Sequence, residues 1–292
     1  MMMKLLFRKI ALAAFILALG CCPGAAQPST QQIGKDLYAH ISDNDASANS
    51  TFLVGEKEIL VVDTGLNASE GAKLVSSIRR ISNLPVEYVV NTHYHPDHQG
   101  GNIVVGPNAM VISTDVTRER TLALMQAPDG PLRFKPADLS FSKRITVYVG
   151  AYPVEIFFPG KAHTSGDALV YFPEQKAIAM GDLFLNRSCP AMDDGSVENW
   201  IHALDQVLAL PIEKAVPGHF ELGTRSDLLR FRDYLNDIYE QVAALKSKGE
   251  TLEQVVRDIH LEKYSDFRQF PKYEATFSDN ASTIYRELAA KP

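Results

Sequence analysis

Nothing constrains this chain more than the run His93-Tyr94-His95-Pro96-Asp97-His98-Gln99-Gly100-Gly101. Within six positions it offers three imidazoles and one carboxylate, a donor set that suits zinc better than calcium or magnesium. The apolar stretch Val86 to Asn91 reads as a short buried strand that delivers the chain to this point. Pro96 disfavours a helical His95, so the spacing predicts an extended segment through the histidines. Alternate side chains of an extended segment share a side. His93, His95 and Asp97 are therefore expected together, with His98 pointing elsewhere, so that one segment serves two neighbouring ions.

Three further segments carry donors of the same kind. They are Gly160 to Asp167, which contains His163; Met180-Gly181-Asp182, at the end of an apolar strand; and Pro217-Gly218-His219, again just after one. Loops at strand ends, fixed by a rigid scaffold, are where ligating residues are expected. His40, His202 and His260 fall outside these segments and read as bystanders. Thr164, Ser165 and Asp167 are expected to fix the His163 loop. Cys189, seven residues beyond Asp182, reads as a loop thiol, and Trp200 as the buried first turn of a helix.

The ordered set His-x-His-x-Asp-His, then His163, Asp182 and His219, resembles the metallo-β-lactamase superfamily over roughly residues 37 to 225. The resemblance implies an α/β fold, a four-layer αβ/βα sandwich of two mixed sheets flanked by helices. It also implies two zinc ions per chain. Carried over position by position, His93, His95 and His163 would hold one ion, Asp97, His98 and His219 the other, and Asp182 would bridge them. Asp63 matches the family's strand-end aspartate, which orients a ligand histidine. The reaction implied is hydrolysis by a metal-bridging hydroxide, with Asp97 orienting it or relaying a proton to the leaving group.

An aspartate at 182, where many β-lactam-opening members carry cysteine or serine, is similar to the glyoxalase II-type branch. The stretch from Asp193 through Trp200 to Pro217 is similar to exported hydrolases of the quinoprotein-relay type. Phe220 departs from the family, in which glycine commonly follows the last histidine. That change is expected to reshape the pocket wall.

Around these motifs, strands are expected at Leu37 to Ile41, Ser50 to Val54, Glu58 to Val62, Ala109 to Ile112, Ile145 to Val149, Val154 to Phe158, Leu169 to Phe172, Ala177 to Met180 and Lys214 to Val216. Helices are expected near Ser69 to Ile81, Asp115 to Met125 and Ser196 to Leu208, then in a tail at Asp227 to Lys246, Leu252 to Ile259 and Asn280 to Leu288. Gln27 to Gly34 reads as a polar opening segment, and Ala127 to Asp138 as a rim loop. Phe52 to Asp63 and Leu169 to Asp182 repeat one pattern, strand, charged turn, strand, aspartate, which suggests two related α/β halves. The resulting division is a signal segment over 1–26, a catalytic domain over 33–225 and a helical extension over 226–292.

The N-terminus carries Lys4, Arg8 and Lys9 before an apolar run from Ile10 to Leu19, the layout of a secretory signal. Cleavage after Ala26 would leave Cys189 alone, so no intrachain disulfide forms. Cys21 or Cys22 offers the alternative of a lipid anchor. The expected location is therefore periplasmic or secreted, without a membrane span. A net charge of −6 argues against nucleic acid as partner.

The expected substrate is a small molecule with an ester, thioester, lactone or amide-like bond. Alternatives are β-lactam hydrolysis, a mononuclear iron oxidoreductase resembling sulfur dioxygenases, and a non-enzymatic metal-binding protein. Oligomeric state is not encoded in any of these features.

Overall fold

A computed structural model describes residues 28–126, 134–192 and 194–290. The signal segment lies outside them, as does 127–133 of the rim loop. Its described remainder runs along the sheet edge, where Asp138 N–H donates to Val111 O at 2.8 Å.

Two sheets face each other. The first has seven strands in chain order: β1 (Ser29–Gly34), β2 (Leu37–Ile41), β3 (Ser50–Val54), β4 (Ile59–Val62), β5 (Val86–Val90), β6 (Met110–Thr114) and β7 (Leu139–Phe141). The second has six: β8 (Arg144–Val149), β9 (Tyr152–Phe157), β10 (Leu169–Phe172), β11 (Ala177–Ala179), β12 (Lys214–Val216) and β13 (Gly223–Thr224), with β8 and β13 at its edges. Helices α1 (Ala68–Arg79), α2 (Pro96–Gln99), α3 (Asn102–Val105) and α4 (Asp115–Gln126) follow strands of the first sheet. Helices α5 (Val197–Leu208), α6 (Arg225–Ser247), α7 (Leu252–Asp258) and α8 (Phe277–Ala290) belong to the second half.

Both sheets are mixed, and the internal repeat is visible in their pairing. β3 and β4 pair antiparallel and β4 then pairs parallel with β5; β10 and β11 pair antiparallel and β11 then pairs parallel with β12. The continuous apolar sequences of the central strands follow from burial on both faces. Leu60 and Val62 of β4 point into the core between the sheets, which they share with Val170, Phe172 and Ala179. Ile59 and Val61 point outward onto Leu74 and Ile78 of α1. On the other outer face α5, α6, α7 and α8 cover β10 and β11 through Trp200, Leu204, Phe231, Leu235, Val255 and Ile284. Each fully buried side chain of this size contributes about 1.5–3 kcal/mol, so both outer layers are integral to stability. The architecture is the four-layer sandwich with a helical C-terminal part.

Two local expectations are corrected, and one strand that the sequence reading leaves unassigned is added. Ser29–Gly34 is an edge strand rather than a polar opening segment, because β2 supplies an antiparallel partner whatever the side chains, with a register shift between Gln32 and Gly34. Leu139–Phe141 is a strand too short for periodicity to reveal. The chain does not remain extended through Asp97. His95 is extended at φ −64°, ψ 142°, but Pro96 occupies the first position of α2, where its fixed φ and missing N–H favour helix initiation.

Candidate metal centre

That turn decides how the donors divide. His93 lies in a bend over 92–94 just after β5 and His95 is extended, whereas α2 swings Asp97 and His98 to a second position. His163 arrives from the loop after β9, Asp182 from a turn after β11, and His219 just beyond β12. All seven residues converge in two groups: His93, His95, His163 and Asp182; and Asp97, His98, Asp182 and His219. In each group the donor atoms lie within 4.8 Å of one another. The alternation that places Asp97 beside His93 and His95 is therefore incorrect; apart from the shared Asp182, the two groups contain the same residues as the two sets named from family resemblance.

Asp182 belongs to both groups through different oxygens. Its Oδ2 is 3.6 Å from His163 Nε2, and its Oδ1 is 3.3 Å from His98 Nε2 and 3.5 Å from His219 Nε2. Asp97 Oδ2 lies 3.2 Å from His219 Nε2 and 3.5 Å from His98 Nε2. Two positions in the loops make this fit possible. Gly181 adopts φ +51°, and a Cβ on Gly218 would stand 1.9 Å from Asp182 Oδ1.

The outer nitrogens are fixed by the scaffold. His98 Nδ1 lies 2.8 Å from Asp63 Oδ2, and Asp63 also accepts from Thr92 N at 2.8 Å and Thr92 Oγ1 at 2.7 Å. His93 Nδ1 is 3.1 Å from Thr92 Oγ1. The inner atoms His93 Nε2, His98 Nε2 and Asp182 Oδ1 are buried and have no hydrogen-bond partner. A buried polar atom without a partner costs about 1–3 kcal/mol. His93 Nε2 belongs to one group and His98 Nε2 to the other, so a cation in each group would give these buried atoms a partner.

The electrostatics agree. Burial and crowding by His98 and His95 hold His93 well below the ordinary imidazole range, in the neutral form that ligates. Burial alone would push His98 down as well, but Asp182, Asp63 and Asp97 draw positive charge there and hold it well above that range. Burial opposes ionisation of Asp182 and Asp97, and the surrounding histidines more than offset it, so both lie below the usual carboxylate range.

The flanking residues behave largely as the sequence suggests. Thr164 N and Oγ1 donate to Asp167 at 2.9 and 2.6 Å, closing the His163 loop. Trp200 Nε1 donates to Leu183 O at 3.0 Å, and its ring lies 5.5 Å from that of His163. Burial pushes the Cys189 thiol up to about 12, which makes it a poor ligand. His202 and His260 are exposed, and His40 is buried in β2, away from both groups.

Sequence reasoning overlooks four supporting residues. Thr92 braces Asp63 and His93, and Asp194 accepts from Ser165 N and Oγ at 3.1 and 2.9 Å. Phe270 and Tyr273, from the segment between α7 and α8, line the cavity above the donors. Thr92 is open to detection because it adjoins the motif; the other three carry no spacing signal.

Two facing mixed sheets holding a shared-carboxylate His/Asp cluster at one edge define a two-sheet α/β protein with a candidate metal centre. The family model described as the metallo-beta-lactamase superfamily matches residues 43–219, and the chain belongs to that superfamily, whose members are typically hydrolases. A metallo-beta-lactamase type 2 of Bacillus cereus is 28% identical over 218 residues, 71% of this chain and 82% of the relative. The alpha subunit of a 2,4-dinitroanisole O-demethylase from Nocardioides sp. (strain JS1661) is 26% identical over 170 residues, 57% of this chain and 50% of the relative. Among solved structures, a metallo-beta-lactamase from Pontibacter korlensis superposes with a TM-score of 0.62 at 23% identity, covering 72% of this chain and 100% of that one. A stereoselective inverting sec-alkylsulfatase from Pseudomonas sp. does so at 0.71 and 17%, covering 89% and 50%. At these identities the superpositions speak for the fold alone.

Proposed function

We propose that this chain is an exported dinuclear zinc hydrolase acting on an ester, thioester, lactone or amide-like bond of a small molecule. The observation that carries the reading is Asp182, whose two oxygens face two separate histidine groups. A single ion would use one group and leave a buried nitrogen of the other, His93 Nε2 or His98 Nε2, without a partner. His93, His95 and His163 would hold one zinc, Asp97, His98 and His219 the second, and Asp182 both. Zinc, when bound, polarises the bond to be cut and brings the pKa of water down to about 7.

The chain's own residues supply the rest. Asp97 is 24% exposed and lines the cavity, and its carboxylate is drawn towards ionisation by His98 and His219. It takes the proton from the attacking water and returns it to the leaving group. Asp63 and Thr92 hold His98 and His93 in the tautomers that direct Nε2 inward. Export rests on the basic-apolar layout of residues 1–26.

Elemental analysis of purified protein tests the reading, together with chelator-reversible hydrolysis of a panel of simple esters, lactones and a chromogenic cephalosporin. About two zinc per chain with reversible turnover supports it; a single iron overturns it. β-Lactam opening is the second reading, favoured by the Bacillus cereus relative. The cephalosporin decides it.

A further inference from the structure

The cavity above the two donor groups encloses about 390 Å³, within the range of small-molecule sites. Its floor is formed by His95, Asp97, His163, Asp182 and His219, and one part of its wall is aromatic, the rest being largely small or aliphatic with Asp45 at one place. Phe220 and Phe270 stack with ring centroids 5.3 Å apart and planes 6° apart, and Tyr273 stands beside them, half exposed. Phe220 reaches this place at φ +67°, a conformation that is a genuine outlier for a bulky side chain. Strained residues persist where surrounding structure over-determines them, and they cluster at ligand sites.

Here the surroundings do over-determine it. Asn49 Nδ2 donates to Phe220 O at 2.8 Å, and the Arg268 guanidinium lies 4.8 Å from the ring centroid. Arg268 is itself held by both oxygens of Glu221, at 2.8 and 2.6 Å. Its charge is thus spent outside the cavity, and among the described residues no lysine or arginine lines the interior. An anionic group on the substrate would find no basic side chain among the wall's described residues; a flat apolar group would find two rings and Tyr273.

We propose that Phe220, Phe270 and Tyr273 form a specificity subsite for a neutral aryl group attached next to the bond that is cut. The C-terminal segment, beyond its packing role, therefore selects the substrate. The inference rests on the hydrolase reading for its bond, and on the wall alone for its ring.

The test compares methyl phenylacetate with methyl acetate and with the counterpart carrying a ring carboxylate, on zinc-loaded protein, by titrating released acid. Binding of N-methyl phenylacetamide and of N-methylacetamide is measured in parallel by calorimetry. The expected result is an aryl preference of about tenfold in kcat/KM and in binding, as stacking in a preformed site gives, with the ring carboxylate reversing it. Phe220→Gly, which suits the positive φ, Phe270→Leu and the surface change Tyr273→Ala should each cut that preference several-fold while zinc content and near-UV circular dichroism are retained. An aryl preference absent from the wild type, or undiminished in Phe220→Gly and Phe270→Leu, overturns the subsite. If no ester is turned over, the ester form of the hydrolase reading falls and amide binding still decides the subsite. If methyl acetate is cleaved without aryl preference, the subsite falls and the hydrolase stands.

Discussion

Replacing Asp63 by asparagine separates the geometric account of the second ligand group from a generic loss of structure. The substitution preserves volume, and asparagine tolerates the left-handed φ of +54° at this position as well as aspartate does. What changes is one acceptor. With its oxygen kept on Thr92 N–H, the new amide directs NH₂ at His98 Nδ1, 2.8 Å away from Oδ2 in the native site. His98 must then accept at Nδ1 and carry its proton on Nε2, the atom required inside the cluster. The opposite amide orientation leaves the buried Thr92 N–H facing a donor, at a cost of about 1–3 kcal/mol. Either way, zinc affinity at the Asp97–His98–His219 group should fall roughly 10–100-fold, or about 1.4–2.8 kcal/mol. Zinc titration against a competing chelator, with stoichiometry by elemental analysis, resolves the two binding steps. The His93–His95–His163 step should move little. Two unchanged steps, or equal losses at both, would refute the tautomer argument.

Gly218→Ala puts a methyl group 1.9 Å from Asp182 Oδ1, so both binding steps should weaken together; the same chelator competition reads this. In metal-free protein, burial pushes the His40 pKa down to about 4 from 6.5, so its stabilising contribution is full above pH 6.5 and is lost as pH falls through 4, up to about 3 kcal/mol. His40→Val should shrink the difference between urea unfolding at pH 7 and pH 4 by that amount, and an unchanged difference would count against it. Glu287 of α8 accepts from Ser196 Oγ at 2.8 Å and Val197 N at 3.0 Å, capping α5 from another helix. Glu287→Ala should cost about 1–2 kcal/mol in the same assay.

The chemistry is legible in the sequence because metal ligation uses few residue types under strict spacing. His93, His95, Asp97 and His98 can be read as candidate ligands from residue type and close spacing, and His163, Asp182 and His219 from type plus position at strand ends. Central strands such as β4 and β10 are legible because burial on both faces demands unbroken apolar runs. The course of the chain between His95 and Asp97 is not legible in this way, because proline acts on both sides of itself: it keeps His95 extended and starts a helix with Pro96. One turn of backbone moves Asp97 from one ligand group to the other, so the division into groups comes from family resemblance and not from periodicity. β1 escapes because an edge strand can be specified by its partner's backbone and does not need alternation of its own.

The cavity wall is less legible for a different reason. A phenylalanine that touches substrate and one that fills a core satisfy the same apolar preference, and only placement distinguishes them. Phe270 and Tyr273 reach the site through a short reversal closed by the Phe270 N–H to Ala275 O bond at 2.9 Å, more than fifty residues beyond the last ligand histidine. Phe220 is the exception, since it stands out against the glycine that commonly follows the last histidine in the family it resembles, and its φ of +67° is unusual for a bulky residue. A left-handed non-glycine residue is unfavourable by roughly 1–2 kcal/mol, and an aromatic pair returns about 0.5–1.5 kcal/mol beyond its burial. The stack with Phe270 therefore offsets part of the strain. The ring's partial burial and the Arg268 guanidinium 4.8 Å from its centroid add to that return, so the ground for assigning the ring to the substrate is its place in the cavity lining beside the donor cluster, not an energy balance.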